Sequence, residues 1–289
     1  MTEWGIAAAA AVIGALLCRF VARRSIEAAP KAVMRTNVDG KQVPVVLGWA
    51  VVAGALAALT TVVVVGTPGG NCPGLAYCDG PGAWVLWGAA GVPLAGMFLA
   101  GFWDDLRGDE RPRGFAGHLG ALGGGALTGG AVKLLAGGLV GLVTAVIAVR
   151  NDLGLLVPMA LLVALTANLV NLVDRAPGRA LKLFLIVALP LALVGDETWR
   201  LLAAGAIGAA GAALPLDLRA RAMLGDAGAN PLGALLGLGL AASLAGSRPV
   251  LWGVVVVVAA LNLASERWSF SEVIAKNAWL ARLDHLGRK

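Results

Sequence analysis

Apolar residues run along this chain in blocks of 16 to 22 positions, and shorter polar stretches separate them. A membrane-crossing helix needs about 20 mostly apolar residues. Nine such segments can be marked, at about 3–22, 45–66, 83–102, 131–149, 153–170, 180–195, 199–215, 230–246 and 249–265. Two stretches break the pattern. Residues 106–130 are rich in Gly without a membrane period, and read as a loop with a short helix around 115–122. From Trp268 to Lys289, apolar positions recur at steps of three and four (Phe270, Val273, Ile274, Trp279, Leu280, Leu283, Leu286), the mark of an amphipathic helix lying on a membrane surface. A structural clamp is the alternative for that tail. The expected fold is therefore all-α: one polytopic membrane domain over 1–289, with about nine transmembrane helices and a C-terminal amphipathic helix.

Charge placement gives this arrangement a direction. The loops after the first, third, fifth and seventh segments, together with the tail, hold every Lys and Arg of the 23 except Arg150, Arg200 and Arg248. Basic residues favour the cytoplasmic side. The amino terminus is then outside, and the loops at about 23–44, 103–130, 171–182, 216–229 and 266–289 face the cytoplasm of a bacterial inner membrane. Because the net charge of +6 is concentrated between apolar segments, it reads as topology, not as a nucleic-acid surface. Only 14% of the chain is charged, against about 25% in ordinary soluble domains, which excludes a water-soluble globule. The first segment is not a cleavable leader, since Arg19, Arg23 and Arg24 follow its apolar run instead of preceding it. Cys18 lies within that segment; Cys72 and Cys78 fall in an outside loop, where a disulfide can form. GGLVG at 137–141 has the spacing for close helix contact, within one protomer or across a homodimer.

The polar residues at the cytoplasmic edges carry the candidate chemistry. GFWDDLRG ends the third segment with Asp104 and Asp105. Two adjacent carboxylates at a low-dielectric edge repel and call for a cation; the plainer reading is a solvated pair balanced by Arg107 and Arg111. MLGDAGANPLG sets Asp226 between two glycines before the eighth segment. Magnesium prefers oxygen ligands, commonly one or two carboxylates with substrate phosphates, so Asp226 is a candidate ligand; the alternative is a turn and helix N-cap. In TANLVNLVDRAPGR, Asn168, Asn171 and Asp174 recur at steps of three along one side of a helix, fit to read a sugar or base, or simply to pack. In MRTNVDGKQ, Asn37, Asp39 and Gly40 predict a turn, with Lys41 and Arg35 offering charge to a phosphate. His118 and His285 are the only histidines, so no zinc-type cluster is available.

In this order and on this side, the segments resemble the polyprenyl-phosphate N-acetylhexosamine-1-phosphate transferases (glycosyltransferase family 4 type), the superfamily of the phospho-N-acetylmuramoyl-pentapeptide transferases. Asp104 and Asp105 look like the family's paired aspartates, Asn168, Asn171 and Asp174 like its Asn-x-x-Asn-x-x-Asp loop, and Asp226 like the aspartate of its Gly-Asp-x-Gly motif. The resemblance implies transfer of a sugar 1-phosphate from a nucleotide diphosphate sugar to a polyprenyl phosphate, with magnesium, or manganese in its place, as cofactor. It implies that Asp226 binds the metal with support from Asp105, that Asp104 meets the lipid phosphate or acts as its base, and that Lys133 pairs with a phosphate. The chain departs from the family at DRAPGRALK, which lacks a second loop aspartate, and at SERWSFSEVIAKN, which lacks a histidine cluster. Those departures motivate a second expectation, a non-catalytic member that binds polyprenyl phosphate or organises an envelope-synthesis complex. A transporter is a third, weakened by acids that gather at one face with no charged relay through the midplane.

Overall fold

A computed structural model describes residues 2–37, 40–66, 82–107, 129–149, 152–195 and 197–288. The expected disulfide at Cys72 and Cys78, the short helix around 115–122, Asp39, His118 and Arg111 lie outside the described residues, as does the side chain of Arg107.

The described chain is all-helical apart from one small hairpin. Each of the nine apolar segments forms a helix: α1 Glu3–Glu27, α2 Leu47–Gly66, α3 Gly82–Arg107, α4 Gly129–Val149, α5 Leu153–Val173, α6 Arg179–Val194, α7 Glu197–Leu218, α8 Asp226–Ser243 and α9 Arg248–Ala264. Among the described residues, four helices (α1, α2, α5 and α7) are by length and composition long and apolar enough to cross a membrane. Leu16, Leu99, Leu139, Ile186, Val256 and Leu263 lie exposed on the outside of the bundle. In water that arrangement would leave large apolar surface unpaired.

Small residues set the packing. A Cβ on Gly14 of α1 would stand 2.2 Å from the carbonyl oxygen of Gly205 in α7, and one on Gly208 would stand 1.9 Å from that of Ala11. Only a missing side chain allows backbones so close, the device by which apolar helices associate where hydrophobic burial gives no drive. Gly141 of the GGLVG stretch plays the same part within the protomer, against the carbonyl of Ala160 in α5.

At the centre stands α8. Residues Ala227 to Gly239 are buried without interruption, and α2, α3, α5, α6 and α7 all pack on it. Its first turn is pinched between two glycines. A Cβ on Gly48 of α2 would meet the Gly228 amide nitrogen at 2.4 Å, and one on Gly101 of α3 the carbonyl oxygen of Asp226 at 2.2 Å. The buried helix therefore presents its amino-terminal end at a fixed height beside the ends of α3 and α5.

The polar stretch between α1 and α2 holds an antiparallel hairpin of β1 Met34–Thr36 and β2 Gln42–Pro44. Its base is stitched to the loop before α8: the Met223 amide donates to the Pro44 carbonyl at 2.9 Å, and the Leu47 amide to Met223 at 3.1 Å. The tail differs from the single amphipathic helix expected. It forms two short helices, α10 Phe270–Lys276 and α11 Ala278–His285. Asn277 breaks them apart by adopting extended backbone, and its side chain caps the second by accepting from the Trp279 and Leu280 amides.

Candidate functional site

The amino-terminal end of α8 must satisfy backbone N–H groups that have no partner within the helix. Gly225, at the N-cap, has no side chain to do this. Asp105 supplies the acceptors instead: its Oδ1 accepts from the Asp226 amide at 3.1 Å and its Oδ2 from the Ala227 amide at 2.9 Å. An anionic carboxylate at this position also meets the positive end of the helix dipole. Gly225 makes the approach possible. Its φ is +68°, and a Cβ there would lie 2.2 Å from Val45 Cγ1 and 2.9 Å from Asp105 Oδ2. Asp226 is thus the first residue of the helix and not its cap, so the expected alternative of an Asp226 N-cap gives way to a cap delivered from α3.

From α5, the Asn171 amide donates to Asp226 Oδ1 at 2.6 Å. Asp174 closes the same helix end, its backbone N–H shared between the carbonyls of Val170 and Asn171. Its carboxyl is held well above the usual carboxylate range, first by loss of solvent and then by the negative charges of Asp217, Asp226 and Asp105, with Arg175 acting in the opposite sense. Asp105, Asn171, Asp174 and Asp226, read from three separate stretches of sequence, therefore share one end of the bundle.

Other expected residues go elsewhere. Asn168 turns to α9, where its amide donates to Asn262 Oδ1 at 2.7 Å, and Asn262 in turn donates to the Leu165 and Val258 carbonyls. Here the packing alternative holds, and the expected polar stripe divides between two neighbours. Asn37 is buried and shapes the hairpin turn, its Oδ1 accepting from the Lys41 amide at 2.8 Å, while the Lys41 side chain is exposed. Asp104 is half-buried on the last turn of α3 beside Asp105. Lys133 lies in the first turns of α4 and its side chain is outside what the structure describes.

Three further residues belong to this end, and two of them, Asp217 and Asn230, were not singled out by the sequence. Asp217 of α7 is 4% exposed, and its Oδ2 accepts from the Gly178 amide at 2.9 Å. Asn230, one turn deeper than Asp226 on α8, is buried with no acceptor for its Nδ2 among the described residues. Arg35, read before only as charge for a phosphate, donates to the carbonyls of Ala32, Met34 and Asp105, so its guanidinium faces the carboxyl end of α3.

The donors gathered here are all oxygens, and their negative charges face one another. Among the described residues no three Asp, Glu, His or Cys side chains stand close enough together to hold a metal ion. Magnesium seldom asks for that: it commonly takes one or two carboxylates and completes its shell with substrate phosphates and water. The residues fit an ion shared with a phosphate, not a cage built by protein alone.

Fold and site together define an all-helical protein, with helices of membrane-crossing length and an anionic, amide-edged cluster at the mouth of its central helix. No protein-family model matches the chain, and no curated protein matches it either.

Proposed function

We propose that this protein is a membrane phosphosugar transferase, moving a sugar 1-phosphate from a nucleotide diphosphate sugar to a polyprenyl phosphate in cell-envelope glycan synthesis. One observation carries the reading: Asp105, Asn171, Asp174 and Asp226 meet at the amino-terminal end of a helix buried on all sides. A diphosphate is dianionic or more, and catalysis of phosphoryl transfer rests on positioning and charge stabilisation. Asp226, with Asp105 behind it, would hold the divalent cation, which when bound neutralises charge on the diphosphate and its leaving group. Asn171 fixes the rotamer of Asp226. Asp174 faces the donor, and Asp104 faces the lipid phosphate as its base. In the reaction an oxygen of the lipid phosphate bonds to the sugar-bearing phosphorus, the bond from that phosphorus to the bridging oxygen breaks, and nucleoside monophosphate leaves with the electron pair.

The proposed setting is the cytoplasmic face of a bacterial inner membrane, with nine spans and the amino terminus outside. Exchange of labelled nucleoside monophosphate into a nucleotide sugar tests the reaction, using purified protein, magnesium and polyprenyl phosphate. Exchange that Asp226→Asn abolishes is expected. Absence of exchange across a donor panel, with folded protein, would overturn the assignment.

A second reading has its own support. Both oxygens of Asp105 already serve the α8 amides, and the chain lacks the second loop aspartate and the histidine cluster. A non-catalytic protein that binds polyprenyl phosphate would retain lipid-phosphate binding, and its cellular role would survive Asp226→Asn.

A further inference from the structure

A helix on the surface of a soluble protein turns its apolar side inward and its polar side out. The last helix of the tail, α11, does the reverse. In α11 the side facing the protein carries Asp284, 9% exposed, which accepts from Arg179 Nε and Nη2 at 2.8 Å each and from Arg288 Nη2 at 2.6 Å. Lys182 donates to the carbonyls of Leu283, Asp284 and Leu286, closing the carboxyl end of the same helix. Trp279, Leu283 and Leu286, spaced by four and three, are instead 74%, 50% and 66% exposed. Trp268 before α10 and Val273 within it are exposed as well.

We infer that α10 and α11 are seated in the lipid–water interface, with Trp268, Val273, Trp279, Leu283 and Leu286 sunk among the upper acyl chains and Lys276 and Arg282 on anionic headgroups. Position decides the occupant. Only Ser265–Ser269 separate α9, with its exposed Val256, Val257 and Leu263, from α10, so the tail begins where an apolar helix leaves the bilayer. Tryptophan is enriched at that depth. Lys276 and Arg282 are both exposed, and long basic side chains reach from an apolar surface to headgroups. The polar side, held by Arg179 and Lys182 at the start of α6, fixes which side meets lipid. The inference stands on the membrane reading alone and is independent of the transfer reaction.

Spin labels on the full-length protein test it, in nanodiscs containing anionic phospholipid. Single cysteines at Trp279→Cys, Leu283→Cys and His285→Cys are placed in a background with Cys18, Cys72 and Cys78 replaced by Ala. Expected is greater collision with oxygen than with a water-soluble nickel chelate at 279 and 283, and the reverse at 285. Lys276→Glu with Arg282→Glu should shift 279 and 283 toward the nickel chelate. Native tryptophan provides a check without cysteines: brominated lipid should quench a component of the emission that Trp279→Phe removes. Chelate access at 279 and 283 in lipid, or labels shielded from both reagents with dipolar broadening from a second copy, would overturn the seating.

Discussion

Asp105 and Asp226 are both half-buried carboxylates at one helix end, yet their contacts assign them opposite effects on stability. Asp105 satisfies two amides of α8, so Asp105→Ala should lower stability by about 1–2 kcal/mol, the usual cost of a lost cap. Asp226 adds negative charge beside Asp174. Asp226→Asn keeps an oxygen for Asn171 and removes that charge, so it should leave stability unchanged or raised while ending transfer. Thermal unfolding of the two variants in one detergent checks the contrast. At this scale the sequence was legible in part. The DD pair, the NxxNxxD run and GDAGAN lie at the ends of α3, α5 and α8, where the sequence placed them. The capping role of Asp105 was not visible, because its partner amides lie 121 and 122 residues away. Nor could a step of three say that Asn168 and Asn171, roughly 60° apart around the helix, would face different neighbours. Asp217, within PLDL, carried no motif to mark it.

Between elements, the least legible feature is the clamp on the α5–α6 loop. Gly178 donates to Asp217, Pro177 accepts from Arg288 Nε at 2.9 Å, and Arg179 pairs with Asp284 and donates to Ser271. Every partner is distant in sequence, so only the packed fold reveals it. The tail's amphipathic period was readable, but its clamp and its apolar outer face are both real, where the sequence posed them as alternatives. The clamp has a pH signature. Burial tends to raise the Asp284 carboxyl, but the hydrogen bonds and charges of Arg179 and Arg288 outweigh it and hold the group below its ordinary 3.8. A depressed folded value means that the stabilisation is present above the unfolded value and lost as pH falls through the folded one. Hydrogen exchange of α11 should therefore stay slow at mildly acidic pH and rise only below 3.8. Arg179→Gln should destabilise tail docking at neutral pH by about 3 kcal/mol, the low end for a broken buried pair, because Arg288 still neutralises Asp284.

Across the whole molecule each of the nine apolar segments lies in a helix, because the hydrophobic pattern marks where helices form, but α1 and α3 run five residues past their apolar runs, to Glu27 and Arg107. The order of the helices around α8 was beyond the pattern, since it depends on glycine contacts such as Gly48 with Gly228 and Gly101 with Asp226. The two ends differ in chemistry. The end opposite the cluster holds self-contained pairs, Arg200 with Glu3 at 2.8 Å and Arg248 with Asp152 at 2.8 Å. If basic loops mark the cytoplasm, then with Cys18, Cys72 and Cys78 replaced by Ala an impermeant thiol reagent should label Ser247→Cys in intact cells and Lys276→Cys only after permeabilisation. The central claim, that the carboxylates form one divalent-ion site shared with a diphosphate, is tested most directly by manganese binding. Electron paramagnetic resonance of free manganese should show uptake by the wild-type protein that a nucleotide diphosphate sugar strengthens and Asp226→Ala removes. Equal free-manganese signals from the two proteins, with the nucleotide sugar present, would contradict it.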